Sequence, residues 1–178
     1  MTSTAFRSTR PASGEFLPYY GTYIDKVPQG DIVETLTKQL SETLALIKSI
    51  PEETGDKRYA PGKWSIREVI GHLIDAERIF VYRALRFSRS DSTPVPGFDE
   101  NTYSANGPYS KVSLAELADE FEHVRHATID FRSHLDAEAL SRRGTANDAE
   151  ISVRALAFIM AGHETHHVGV LRDRYLSS

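Results

Sequence analysis

The segment Ala161-Gly162-His163-Glu164-Thr165-His166-His167 carries two histidines four residues apart, and a third stands far upstream in Ile70-Gly71-His72. On an α-helix, positions i and i+4 lie one turn apart on one face, so His163 and His167 can aim two ring nitrogens at one point. His72, brought alongside on a neighbouring helix, completes a three-nitrogen site with one coordination position left open. Catalytic divalent-metal sites take that form. Their chemistry is to ionise a bound water or thiol and present the anion to an electrophile. The competing interpretation is three core or rim histidines satisfied by ordinary hydrogen bonds.

The same string satisfies His-Glu-x-x-His, in which the glutamate serves metalloproteases as general base. Glu164 is therefore a candidate catalytic residue, although it sits about 100° around the helix from His163 and can equally face away. Proteolysis itself is not expected, because no edge strand is available to align a peptide. His123, His126 and His134 fall off the apolar stripe of their segment and read as solvated. His166, between the two candidate ligands, reads as a bordering residue and not a ligand. The chain has no cysteine, which excludes disulfides, a thiolate nucleophile and a cysteine zinc ribbon. Any metal must be held by His, Asp or Glu, and any thiol must come from outside.

Four amphipathic segments can position these residues. The first opens at Asp31, with Glu34 three residues on, and carries Val33, Leu36, Leu40, Leu44 and Ile47. The second opens at Ser65, which reads as a cap for the helix bearing His72, followed by Glu68. The third opens at Ser113, followed by Glu116. The fourth opens near Ser152, and in its stripe Leu156, Ile159, His163, His167, Val170 the histidines stand where apolar residues belong. Segments of about 20 residues with one stripe each predict an all-α four-helix bundle over residues 30–178. Residues 1–29, rich in Pro, Gly and aromatics, read as an irregular arm pinned to the body by Phe16, Leu17, Tyr19, Tyr20 and Tyr23. Residues 88–112 form a long loop between helices 2 and 3, long enough for a crossover. Its string Gly97-Phe98-Asp99-Glu100-Asn101-Thr102-Tyr103 reads either as the mouth of a pocket or as a turn closing the bundle. Gly71 and the Ala161-Gly162 pair read as sites of close helix approach. No strand-like alternation is evident.

The composition excludes several classes. The 178 residues suit one domain, and 40% hydrophobic with 26% charged residues describes a globular chain. A net charge of −4 without a basic stretch argues against nucleic acid or an anionic membrane as partner. No apolar run reads as a signal peptide or membrane span, and the cytoplasm is the expected location.

The helix-borne histidine pattern, together with residues 63–87, 97–103 and 151–176, resembles the DinB-like superfamily, also known as YfiT-like metal-dependent hydrolases. The resemblance covers roughly residues 30–176. It implies a bundle in up-down-down-up order and a divalent metal, commonly nickel or zinc, at positions matched by His72, His163 and His167. It also implies thiol-dependent S-transfer or isomerisation with bacillithiol, mycothiol or glutathione, and frequent homodimers. The expected protein is a cytoplasmic metal-dependent enzyme acting on a small molecule, by transfer of a low-molecular-weight thiol or by hydrolysis. A non-catalytic stress-related or ligand-binding metal protein is the alternative.

Overall fold

Four long helices form the frame: α3 (Ile32–Ser49), α4 (Ile66–Ser88), α6 (Leu114–Ser133) and α8 (Val153–Val170). They were located in a computed structural model that describes residues 3–177. Residues 1, 2 and 178, the extreme ends of the expected arm and body, lie outside the described residues. Each helix starts where its cap residue stands. Asp31 accepts from the Val33 amide and Ser152 from Ala155, while Ser65 with Glu68 and Ser113 with Glu116 close reciprocal capping boxes. A side-chain oxygen there satisfies an amide that the helix cannot, which makes the start locally encoded. Helix α8 continues as a wide π turn over Leu171–Leu176.

Around the bundle, α3 packs on α6, α6 on α4, α4 on α8, and α8 back on α3. The sequence neighbours α3 and α4 therefore face each other across the bundle, and the long connection between α4 and α6 joins adjacent helices. That connection contains a short helix, α5 (Glu100–Asn106), capped by Asp99, and another short helix, α7 (Ala137–Ser141), follows α6. No helix among the described residues is long and apolar enough to cross a membrane.

Two expectations need correction. The chain is mainly helical but not strictly all-α. Strands β1 (Arg143–Ala146) and β2 (Ala149–Ser152) form an antiparallel hairpin, with Arg143 opposite Ser152 and Ala146 opposite Ala149. Its turn is Asn147-Asp148, both at positive φ (53° and 60°), which Asn and Asp tolerate better than other side chains. Four-residue strands are too short to show a period-2 pattern. The hairpin also takes up the long loop: Val95 donates to the Thr145 carbonyl at 2.9 Å, and Asn147 to the Val95 carbonyl at 3.0 Å.

The arm, too, is more than irregular chain. It carries helices α1 (Ser3–Arg7) and α2 (Gly21–Ile24), and α2 lies against α8. This further neighbour, beside α3 and α4, explains why α8 is buried on nearly every side from Val153 to Glu164 instead of along one stripe. The small residues admit this arm and the loop, not another long helix. A Cβ on Gly162 would lie 1.9 Å from the Tyr23 carbonyl oxygen, and one on Gly71 would lie 2.3 Å from the Tyr109 ring.

Among the described residues the apolar core divides into two clusters. One surrounds the arm, the hairpin and the start of α8, and contains Leu36, Phe80 and Ile159. The other surrounds the start of α4 and α6, and contains Leu44, Ile70 and Phe121. A buried polar layer lies where they meet.

The clash at Gly162 is with backbone, which cannot rotate away. Gly162→Ala is expected to lift α2 off the bundle while the four long helices persist. Limited proteolysis should then cut within residues 8–29 at least tenfold faster with little change in helical circular dichroism, on the order of the 1–3 kcal/mol cost of overpacking. An unchanged cutting rate would contradict the close approach.

Candidate metal centre

Helices α4 and α8 bring His72, His163 and His167 together. One ring nitrogen from each lies within 4.8 Å of the others, and the Nε2 atoms of His72 and His163 are 3.0 Å apart. In a tetrahedral centre with metal–nitrogen bonds of about 2.0–2.1 Å, ligand nitrogens stand roughly 3.3 Å apart. The His72–His163 pair is already near that spacing, and the His167 nitrogen lies within 4.8 Å of both. A hydrogen bond between two of the rings accounts for one pair only; a shared cation accounts for all three.

The electrostatics favour the same use. Burial pushes the His72 imidazole down to about 4 and the His167 imidazole down to about 3. Burial, joined by the neighbouring histidines, holds His163 well below its ordinary value. All three are neutral near pH 7, as metal ligation requires. Aromatic rings pack around them. Trp64 lies 4.7 Å from His72 and stacks at 6.3 Å on His167, Tyr23 lies 5.4 Å from His163, and Phe80 lies 5.9 Å from it. Trp64 is held by its carbonyl, which accepts from the Tyr175 hydroxyl at 2.5 Å. Tyr23 comes from the arm, and its hydroxyl lies 3.2 Å from that of Tyr19.

The triad opens onto a cavity of about 420 Å³. Its walls come from the arm (Tyr20, Tyr23), α4 (Ala76, Phe80, Arg83), the long loop (Phe98, Glu100) and the hairpin turn (Asn147). Of the two interpretations open for residues 97–103, the structure favours the pocket mouth. His166 lines the cavity but is not one of the three converging nitrogens. His123, His126 and His134 are exposed on or just after α6. Sequence reasoning missed Arg83, Phe80 and Asn147 as pocket residues. The available signal was the spacing 72, 76, 80, 83, which repeats His72's own face along α4.

Glu164 is placed elsewhere. It points into the bundle and is absent from the cavity wall. Thr43 donates to its Oε1 at 2.6 Å, and Arg125 Nη2 lies 2.7 Å from its Oε2, an ionic contact more than an aligned hydrogen bond. Arg125 also holds Glu77, with Nε at 2.9 Å and Nη2 at 2.7 Å. Burial pushes Glu164 up and works against Arg125, but Glu164 and Glu77 together keep the guanidinium more firmly protonated than usual. A carboxylate committed to this network does not reach a molecule in the cavity. Glu164, the candidate base of the motif, is thus turned about 100° around α8 from His163, into the bundle and off the cavity wall.

A helical bundle with three histidines converging on an open cavity matches a class: bundle proteins whose histidines are placed as a divalent cation would need them. The sequence profile of the DinB superfamily matches residues 35–171, and the chain belongs to that superfamily. It is 27% identical over 142 residues, 79% of each chain, to a protein of Oceanobacillus iheyensis named "Putative metal-dependent hydrolase". Its fold is similar to that of YfiT from Bacillus subtilis, described as a probable metal-dependent hydrolase with an unusual four-helix bundle topology. That match has a TM-score of 0.69 and 16% identity, and covers 96% of this chain and 94% of the other.

Two outcomes follow. Glu164→Ala is expected to cost roughly 1–3 kcal/mol of stability, because the Thr43 hydroxyl and one edge of Arg125 lose a buried acceptor while Glu77 still balances the guanidinium charge, and zinc binding to the folded protein stays within about threefold. Urea unfolding and metal titration check this; unchanged stability would contradict the network. The second outcome concerns pH. The folded imidazoles titrate below the unfolded value of about 6.5, so their contribution is complete above that pH and falls as pH drops toward about 4 and then about 3. The midpoint temperature of metal-free protein should fall between about pH 7.5 and about pH 5.5, and His72→Gln should flatten that slope. A midpoint that rises on acidification would show the rings are not held neutral.

Proposed function

We propose that the protein is a metal-dependent enzyme acting on a small electrophile, with His72, His163 and His167 holding nickel or zinc. The observation that supports this reading is the convergence of three neutral imidazole nitrogens on a cavity large enough for a substrate. When bound, such a cation supplies a Lewis-acidic centre that ionises a coordinated thiol outright and lowers the pKa of water to about 7. The chain's own residues do the rest. Trp64, Phe80 and Tyr23 exclude bulk water around the histidines and strengthen every electrostatic interaction inside. Tyr23, whose phenol burial pushes upward, stays protonated and can donate a hydrogen bond to charge developing near His163.

Between hydrolysis and thiol transfer, the carboxylates favour thiol transfer. Water attack in metallohydrolases is usually helped by a carboxylate base beside the metal. Here Glu164 is turned away, and the one carboxylate among the described cavity residues, Glu100, is exposed at the rim. A thiol needs no such base. The chain has no cysteine, so the thiol would be an external cosubstrate such as bacillithiol, mycothiol or glutathione. The same reading takes the bundle to run up-down-down-up, in keeping with α3 and α4 lying across from each other. It takes the protein to work as a homodimer in the cytoplasm, whose reducing conditions suit a cysteine-free chain using a free thiol.

The His163→Ala/His167→Ala variant is expected to lose more than nine-tenths of its stoichiometric metal by elemental analysis while keeping its helical content, since metal affinity falls steeply as ligands are removed. Turnover of an electrophile panel should require both metal and an added thiol. Undiminished metal in the double variant would overturn the site. Turnover at full rate without thiol would replace transfer by hydrolysis.

A further inference from the structure

Among the described residues four arginines are buried: Arg83, Arg125, Arg132 and Arg154. Burying a guanidinium is costly unless a negative charge compensates it. Arg125 has Glu77 and Glu164, and Arg154 has Glu15. Arg132 lies within the field of Glu77 in the core and does not border the cavity. Arg83 differs. It is only 3% exposed, and no carboxylate among the described residues compensates it. Its Nη2 donates to the Pro96 carbonyl at 3.0 Å, the Tyr20 hydroxyl bonds it as well, and its Nε has no partner. It lines the same cavity as the histidines.

We infer that Arg83 is the anion-binding residue of this cavity and that the natural ligand carries a carboxylate. The Pro96 carbonyl and the Tyr20 hydroxyl account for two of the five N–H donors, not for a buried charge without a counter-ion. A single guanidinium calls for a single negative charge, and its planar fork suits a carboxylate. His72 and Arg83 lie on one face of α4, eleven residues or about 16 Å of helix rise apart, with Ala76 and Phe80 between them. Tyr20 and Phe98 complete an aromatic wall along that path. The ligand is thus an elongated small molecule with an apolar or aromatic body, a carboxylate at the Arg83 end and its reacting group at the histidine end. Exposed Glu100 disfavours the opposite orientation, with the anion at the mouth.

The assignment of the reacting end rests on the proposed metal function; the anion subsite does not, and it is readable without metal. The probes are 3-phenylpropionate and its neutral counterpart 3-phenylpropionamide, titrated into zinc-loaded and metal-free protein. The readouts are affinity and the Arg83 Nε–H resonance, assigned by its loss in Arg83→Lys. The acid should bind roughly tenfold more tightly than the amide in both forms and shift that resonance, as expected for a charge-assisted hydrogen bond. Arg83→Met should bring the ratio near one while metal uptake stays stoichiometric. Equal affinities, an unmoved resonance at the highest soluble acid concentration, or a preference that survives Arg83→Met would overturn the subsite. A preference that vanishes on removing zinc would place the carboxylate on the metal instead, also against it. If Arg83→Met does not fold, the resonance in the unaltered protein decides the matter alone. Failure to take up zinc with intact acid preference would defeat the metal reading and leave the subsite standing.

Discussion

The rotation of α8 about its own axis governs this molecule, and a buried charge network sets it. Arg125 of α6 binds Glu77 of α4 and faces Glu164 of α8, which accepts from Thr43 of α3; Arg125 also reaches the Leu36 carbonyl at 3.4 Å. All four long helices meet in one cluster between two apolar cores. Hydrophobic packing alone tolerates small rotations of a helix, whereas fixed donors and acceptors in a low-dielectric interior do not. Because Glu164 follows His163 directly, fixing the direction of the carboxylate fixes that of the imidazole about 100° around α8. The network thereby turns His163 and His167 toward α4 and His72.

The second constraint is burial. Three imidazoles at the surface would titrate near their ordinary value and compete poorly for a metal below neutrality. Here α2 closes the open side of α8, seated on Gly162, and brings Tyr23 to the rings. The long loop and hairpin close the far end, where the Val95–Thr145 and Asn147–Val95 bonds join them. Arm, loop and hairpin are thus parts of the cavity, not decoration on a bundle. The aromatic shell keeps the three imidazoles neutral and strengthens the field any bound charge would feel.

What the sequence disclosed and what it hid divide along the range of the interactions concerned. The four helix starts were legible at Asp31, Ser65, Ser113 and Ser152 because a cap and the amide it satisfies are two or three residues apart. The pairing of His163 with His167 was legible for the same reason, and His72 joined them because it borders its own helix's inward stripe. The direction of Glu164 was not legible. Its partners Arg125 and Thr43 are remote in the chain, and a five-residue motif match carries no information about them. The hairpin escaped because four-residue strands have no period to read. Arg83 escaped because an arginine in a helix ordinarily reaches solvent. Only the assembled fold shows that this one is enclosed by Tyr20 and the Pro96 carbonyl.

The central claim is that three imidazoles on two helices share one cation, with coordination space left for a reactant. X-ray absorption at the metal edge of the untagged, metal-loaded protein tests it most directly. Three nitrogen scatterers at about 2.0–2.1 Å with imidazole outer-shell features, plus at least one exchangeable light-atom ligand, are the expected result. A shell with fewer than three imidazoles, or one completed by a protein carboxylate in place of an exchangeable ligand, would contradict it.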